Sequence, residues 1–293
     1  MVLALGLLLG LSGLARADVK FTFITIDVPG AHSTAADANS TNAIAGEYDD
    51  PASVTHGFIL TGGKYQTFDA PGTPKAKGYT TINGINDVGQ RAGTYMDASG
   101  VLHAFFWSNG VFTPLNPPGS ILSIGGFLNS QGKVVGTYRD GNQKRHGFLW
   151  KNTFMDTMIN VPGDDPVLGT VAFGINDLGE IVGDYVAKSP PSPADSRRHG
   201  FLLSGNTYTT IDPPGSFLTV GEGINKAGVI VGVYFDAGSN QHGFILSNSG
   251  YTTVDVPGSK ATAINSINAQ GQIVGSYDNG DAHTHGFVGT PVQ

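Results

Sequence analysis

Short stretches in which apolar and polar residues alternate recur in the same order along the chain, at intervals of roughly 45 residues. Each unit contains four of them: an Ile-Asn stretch, an Ile-Val-Gly-x-Tyr stretch, a stretch that begins His-Gly-Phe, and a β-branched stretch such as Tyr-Thr-Thr-Val-Asp at 251–255. Period-two alternation of β-branched and aromatic residues is typical of strands, and short turns between strands favour antiparallel hairpins. The pattern therefore predicts six units of four short antiparallel strands.

Short sequence motifs mark where the predicted strands end. An asparagine lies seven residues before the glycine of each Gly-x-Tyr step, and three residues after it comes a glycine, or Asn42 in the first copy. Both residue types tolerate positive φ, so we predict a tight hairpin turn with one left-handed residue. A Pro-Gly pair ends each unit and marks where the chain crosses to the next sheet, because this dipeptide cannot continue a central strand.

The two ends of the repeat region complement each other. The sixth copy stops after His285-Gly286-Phe287-Val288 and lacks its fourth strand, while an unpartnered fourth strand, from Phe21 to Asp27, precedes the first copy. We predict that this N-terminal segment supplies the outermost strand of the last sheet and closes a six-bladed β-propeller of four-stranded antiparallel blades. An open solenoid with frayed ends is the alternative.

The first 17 residues are leucine-rich and end in Ala15-Arg16-Ala17, a pattern typical of a secretory signal peptide. We therefore expect residues 1–17 to be removed on export and residues 18–293 to form one secreted or periplasmic domain. No other apolar run approaches the length of a membrane span, so none is predicted in the mature protein. The chain has no cysteine, and its fold must close without disulfides.

The charge of the chain narrows its possible partners. The formal net charge is −7 and the sequence pI is about 5.5. Nucleic acid and anionic membranes are bound through a basic face, so we exclude both as partners. We expect a monomer whose partner is a glycan or a cell-surface component.

The repeat motifs resemble those of a known family. His103-Ala104-Phe105-Phe106-Trp107 carries a His-Ala-Phe triplet, and the segments 84–89 and 174–179 both read Gly-Ile-Asn-Asp-x-Gly. The chain is similar in these motifs to the extracellular HAF repeat family over about residues 20–290, although five of its six triplets have glycine in place of alanine. The resemblance implies an exported bacterial repeat protein, and it implies no catalytic residues.

The histidine of the triplet recurs in every unit and could line a channel or bind a metal. An architectural role is favoured, because a residue present in every blade usually holds the blade together, as in WD40 repeats. The first five histidines are followed after 13 or 14 residues by Asp69, Asn116, Asn160, Asp212 and Asp255, which could pair with them across a hairpin. We interpret all six as structural: His56, His103, His146, His199, His242 and His285.

The loops between the Tyr and His strands differ sharply among the units and lie on the same face as the Pro-Gly crossovers. Their charged residues could hold a polar ligand such as a sugar, or a Ca²⁺ ion, and otherwise they are solvated loop tips. No cofactor is predicted beyond this calcium. The candidate ligand-binding residues are Asp49, Asp97, Arg139, Asp140, Arg197, Asp236, Asp278 and His283.

The sequence leaves the molecular activity open. It contains no nucleophile elbow, zinc-protease helix, P-loop or Rossmann motif, and the lack of cysteine excludes thiol catalysis. We expect a binding or scaffolding module with its ligand on the loop face, carbohydrate being one candidate. A polysaccharide hydrolase or lyase at the propeller mouth is the first alternative, favoured if Asp140, Arg139, His283 and Asp278 cluster. A structural component of the cell envelope is the second.

Overall fold

The computed structural model describes residues 20–74, 78–188 and 197–292. The expected signal peptide (1–17) and the insertion at 189–196 lie outside the described residues. The described residues form only β-strands and their connections, and they contain no helix long and apolar enough to cross a membrane. In chain order the strands are β1 (Phe21–Ile26), β2 (Ser33–Asn39), β3 (Ala43–Asp49), β4 (Thr55–Thr61), β5 (Lys64–Phe68), β6 (Thr80–Ile85), β7 (Arg91–Met96), β8 (Leu102–Ser108), β9 (Val111–Leu115), β10 (Ser120–Leu128), β11 (Val134–Asp140), β12 (Arg145–Lys151), β13 (Thr153–Ile159), β14 (Thr170–Ile175), β15 (Ile181–Val186), β16 (Arg198–Ser204), β17 (Thr207–Ile211), β18 (Ser216–Ile224), β19 (Ile230–Asp236), β20 (Gln241–Ser247), β21 (Gly250–Val254), β22 (Ala261–Ile267), β23 (Ile273–Asp278) and β24 (Thr284–Pro291).

The strands form six four-stranded antiparallel sheets arranged as the blades of a propeller. Blades 1 to 5 each consist of four consecutive strands, β2–β5, β6–β9, β10–β13, β14–β17 and β18–β21. The first strand of each blade contacts the first strands of both neighbouring blades, and β2 contacts β22 across the ends of the ring. These six inner strands therefore surround a central channel, and the predicted six-bladed architecture is confirmed.

Blade 6 is built from both ends of the chain, in the order β1-β24-β23-β22. Strand β1 pairs antiparallel with β24 in a continuous register from Phe21↔Pro291 to Ile26↔Gly286. The N-terminal strand thus covers what would be an exposed sheet edge, as its position outside the repeats predicted. The ring is closed by this pairing.

The core lies between the blades and repeats with them. The phenylalanine of each His-Gly-Phe or His-Ala-Phe triplet is fully buried. The glycine of the Gly-x-Tyr step is required by the same packing: a Cβ on Gly93 would overlap the carbonyl oxygen of Thr81 on the paired inner strand. The six core phenylalanines are Phe58, Phe105, Phe148, Phe201, Phe244 and Phe287.

The predicted left-handed turn residue is confirmed in five blades, where the glycine after the asparagine has positive φ: Gly89, Gly132, Gly179, Gly228 and Gly271. The prediction is wrong for Asn42, whose φ is not positive. The first turn is closed by Ser40 instead. Its backbone N–H donates to the carbonyl oxygen of Ala43 (2.9 Å), and its hydroxyl accepts from the Ala43 N–H (3.2 Å).

Candidate functional site

Each repeat histidine pairs with the Asp or Asn that ends the fourth strand of its blade. The distance from Nδ1 to the partner oxygen is 2.8 Å for His56 and Asp69 and 2.7 Å for His199 and Asp212. The sixth partner, Asp27, follows β1 and lies 2.9 Å from Nδ1 of His285, so closure of the ring also completes this network. The hydrogen bond that His285 donates to Asp27 raises the pKa of His285. The remaining pairs are His103–Asn116, His146–Asn160 and His242–Asp255.

The second nitrogen of the histidine faces an aspartate in the Tyr–His loop. In blade 2 the Nε2 of His103 lies 3.0 Å from Oδ2 of Asp97, whose Oδ1 accepts backbone N–H groups of Ser99 (2.8 Å) and Val101 (3.0 Å). Hydrogen bonds from Ser99 and Val101 hold the pKa of Asp97 well below its usual range. Equivalent aspartates close the loops of blades 1, 3, 5 and 6: Asp50, Asp140, Asp236 and Asp281. These carboxylates, three of them predicted ligand-binding residues, hold the fold together.

The other predicted ligand residues are spread over several blades. Asp49 accepts hydrogen bonds from the hydroxyls of Ser33 (2.9 Å) and Thr55 (2.7 Å). Asp278 accepts from the backbone of its own loop, and His283 Nδ1 donates to the carbonyl oxygen of His32 (2.8 Å). Arg197 is exposed at the start of the third described segment.

The four residues whose clustering would favour an enzyme do not cluster. Arg139 and Asp140 end β11 in blade 3, while Asp278 and His283 lie in blade 6, on the opposite side of the ring. This dispersal favours a binding module over the hydrolase or lyase.

The repeat asparagines make hydrogen bonds between blades that we did not predict. Nδ2 of Asn86 donates to the backbone oxygen of Asn129 in the next blade (3.1 Å), and the same bond recurs from Asn129 to Asn176, from Asn176 to Asn225 and from Asn225 to Asn268. The amide oxygen meanwhile accepts N–H groups of its own turn, for example that of Lys133 at 3.0 Å from Asn129. One side chain thus closes the turn and joins two blades.

The residues that the inner strands present to the channel differ from blade to blade. Each has a register shift that leaves one residue or, in blade 3, a Gly-Phe pair outside the antiparallel pairing. Such bulges turn the extra residue out of the sheet. The channel ring they form is polar on blades 5, 6, 1 and 2 and aromatic on blades 3 and 4; it consists of Asp37, Asn83, Phe127, Phe173, Glu222 and Asn265.

A cavity of about 340 Å³ opens on the crossover face beside the aromatic half of the ring. Three arginines line it together with an apolar wall that includes Leu122, Ile124 and Phe173. Arg139 and Arg145 are cross-strand partners in blade 3, and Leu122 pairs with Arg139 on the other side. Arg198 has the same repeat position in blade 4 as Arg145, directly before the repeat histidine, where the other four copies have Thr55, Leu102, Gln241 and Thr284.

Two carboxylic acids lie beneath the arginines, and the cavity is still cationic. Asp184, the x residue of its Gly-x-Tyr step, has a side chain that is 2% exposed. Its Oδ2 lies 3.1 Å from Arg198 Nη1, and its Oδ1 has no hydrogen-bond partner among the described residues. Burial raises the pKa of Asp184 to about 6 against the opposing effect of Arg198 and Arg145. Burial and Asp184 raise the pKa of Glu222 to about 8. Near neutral pH, three guanidinium groups therefore face about one ionised carboxylate.

A second pair of acids lies on the polar side of the channel. Burial raises the pKa of Glu47 to about 7, with a contribution from Asp49. Burial, Glu47 and Glu222 raise the pKa of Asp37, whose Oδ1 accepts a hydrogen bond from Asn265 Nδ2 (3.0 Å). Perturbed acids of this kind mark candidate functional sites. Two of these acids could have been found from the sequence, because Glu47 and Asp184 occupy the position at which the other Gly-x-Tyr steps have Thr, Val or Ser.

A metal site finds no support in the geometry. Within residues 20–74, 78–188 and 197–292, no group of three or more His, Asp or Glu side chains is placed to hold a metal ion. Calcium at the acidic loops stays a prediction.

No protein-family model matches the chain, and no curated protein matches its sequence. Solved structures do share its fold. AofleA from Arthrobotrys oligospora is 14% identical, with a TM-score of 0.52 over 92% of this chain and 83% of that one. The SapL1 lectin in complex with α-methyl fucoside is 11% identical, with a TM-score of 0.52 over 85% and 90%. The β-propeller domain of the Trilobed protease from Pyrococcus furiosus, described as having an open velcro topology, is 9% identical, with a TM-score of 0.51 over 88% and 95%. Likeness at this identity establishes the propeller fold alone.

Proposed function

We propose that this protein is an exported carbohydrate-binding β-propeller whose ligand lies in the cavity at the crossover mouth of the channel. The observation that carries the proposal is the break in the repeat: Arg139, Arg145, Arg198 and Phe173 come together in two neighbouring blades, while the equivalent positions elsewhere carry other residues. A site usually departs from the repeat that supports it, because structural positions recur in every blade.

The lining suits a sugar. Leu122, Ile124 and Phe173 present apolar surface on which the C–H face of a pyranose can pack, and guanidinium groups are multiple donors to ring and hydroxyl oxygens. A mostly apolar pocket with a few convergent polar groups is the usual form of a small-ligand site. The SapL1 lectin, which is similar in fold, supports a propeller as a frame for saccharide binding.

The acidic loop residues selected from the sequence favour binding over turnover, because the fold itself uses their carboxylates. Asp97, Asp140 and Asp236 are held by loop N–H groups, and Asp184 is held by Arg198.

We further propose that residues 1–17 direct export and that the chain is an HAF repeat protein. Edman sequencing of protein recovered outside the cytoplasm tests the export: a mature N-terminus near Asp18 is expected, and an intact Met1 would refute it.

The experiment that tests the function is a glycan array probed with residues 18–293, followed by calorimetric titration of each positive saccharide. We expect saturable binding that weakens at least tenfold in the double variant Arg139→Gln/Arg145→Gln. Lys151→Gln is the matched control, because Lys151 ends β12 of the same blade far from the cavity and is exposed. Binding to no saccharide, or equal binding by wild type and the double variant, would refute the proposal.

A further inference from the structure

The arginines of the cavity are poorly neutralised by the protein itself. Among the described residues, Asp184 is the one carboxylate within ion-pair distance of any of the three, and it contacts Arg198. The nearby Lys144 is held by Asp164 at 2.9 Å, so Asp164 is not available to the arginines. Asp140, adjacent to Arg139, accepts the N–H groups of Asn142 and Lys144 and faces His146. Within residues 20–74, 78–188 and 197–292, Arg139 and Arg145 therefore have no carboxylate partner.

Convergence of like charges is costly unless something offsets it. Burial lowers the pKa of Arg145, and Arg198 and Arg139 lower it further. Because the whole chain has a net charge of −7, a cluster of three arginines at one mouth is a local reversal of sign rather than a general basic surface. An anionic group on the ligand would supply the missing counter-charge, and guanidinium forks bind such groups through paired hydrogen bonds.

We propose that the saccharide bound at this cavity is acidic, with a carboxylate or sulfate group held by Arg139, Arg145 and Arg198 and its sugar ring packed on Leu122 and Phe173. This inference rests on the proposed function and narrows it to one ligand class. The cavity has a volume of about 340 Å³, which is near the lower limit for ligand pockets. It therefore accommodates a short part of a polysaccharide, either the end of the polysaccharide or one charged sugar with its neighbour.

The test compares ligands that differ in charge alone. Trigalacturonate and its fully methyl-esterified form are titrated into the protein by calorimetry at pH 7, at about 50 mM and about 300 mM salt. We expect the acid to bind at least tenfold more tightly than the ester and to lose several-fold in affinity at the higher salt, because the contact is ionic. A sulfated galactan oligosaccharide, measured against its desulfated form, distinguishes sulfate from carboxylate as the recognised group.

Substitutions test whether the arginines bind the anionic group of the saccharide. Arg139→Gln/Arg145→Gln, which retains Arg198, should remove most of the preference for the acidic form over the neutral form, and Lys151→Gln should leave both affinities unchanged. Thermal melting of each variant checks that the fold is intact. Equal affinity for charged and neutral forms in both pairs would overturn this inference while the proposed carbohydrate binding stood. Tight binding of an acid that is unaffected by the double variant would overturn the assignment to this cavity, and binding of no saccharide would refute the proposed function as well.

Discussion

Glu222 allows a quantitative test of the channel electrostatics. Glu222 is the bulge residue of β18. Its side chain lies near Asp184 below the arginines, and its charge also raises the pKa of Asp37. Burial and Asp184 raise its pKa from 4.5 to about 8. Between these two values the unfolded chain ionises Glu222 while the folded protein keeps it protonated, so stability falls as pH rises through this window. Glu222→Gln retains the shape and removes the ionisation.

The size of the effect follows from the two pKa values, at about 1.4 kcal/mol for each unit of difference. At pH 5 the ionisation of unfolded Glu222 costs the wild type about 1 kcal/mol, and at pH 8 it costs about 4 kcal/mol. The variant carries neither cost. Its stability relative to wild type should therefore rise by about 3 kcal/mol between pH 5 and pH 8, which corresponds to a gain in Tm of about 5 °C in a domain of this size.

The assay is thermal melting of wild type and variant in matched buffers at pH 5, 6, 7, 8 and 9. Glu180→Gln is the control, because Glu180 accepts hydrogen bonds from Asn176 and Ser204 at the turn face, away from the channel acids. The difference in Tm between Glu222→Gln and wild type should widen steadily up to about pH 8 and then level off. A difference that stays constant with pH, or that narrows, would refute the account of a buried neutral acid.

Three further predictions concern the frame. Asn129→Ala removes the hydrogen bond to Asn176 in the next blade and leaves turn N–H groups unpaired, so urea unfolding should show a loss of about 2 kcal/mol. A loss below about 0.5 kcal/mol would contradict the role of this asparagine in joining the blades. Gly125→Ala places a methyl group against the carbonyl oxygen of Gly93 and should lower Tm clearly. Gly141→Ala is the control and should have little effect, because there is open space around Gly141. Similar changes in Tm for the two variants would argue against the close contact between Gly125 and Gly93. A chain starting at Val28 lacks β1 and should melt lower, with partial rescue by an added peptide of residues 21–27; an unchanged Tm would disprove the closure.

Much of the fold could be predicted from the sequence because its determinants are local and repeated. Period-two alternation defined the strands, and the Pro-Gly pairs separated the blades. The missing strand after Val288 and the extra one at 21–27 predicted the closure, since an unpaired edge needs a partner. The pairing of His56 with Asp69 was also accessible, because the two residues face each other across one hairpin. Asn42 shows the limit: tolerance of positive φ permits that conformation and does not impose it.

The candidate site was decided by tertiary structure. Of the eight loop residues selected from the sequence, Arg139 lines the cavity, and its companions Arg145 and Arg198 come from positions that look structural along the chain, beside the repeat histidines. Asp184 and Glu222 belong to different blades. Burial raises the pKa of both, Asp184 raises that of Glu222 further, and Arg198 opposes the rise in each. The sequence by itself determined which residues form each blade and how the ring closes. Only the packing of one blade on the next brought the arginines together, because charge, burial and distance between blades are properties of the assembled ring.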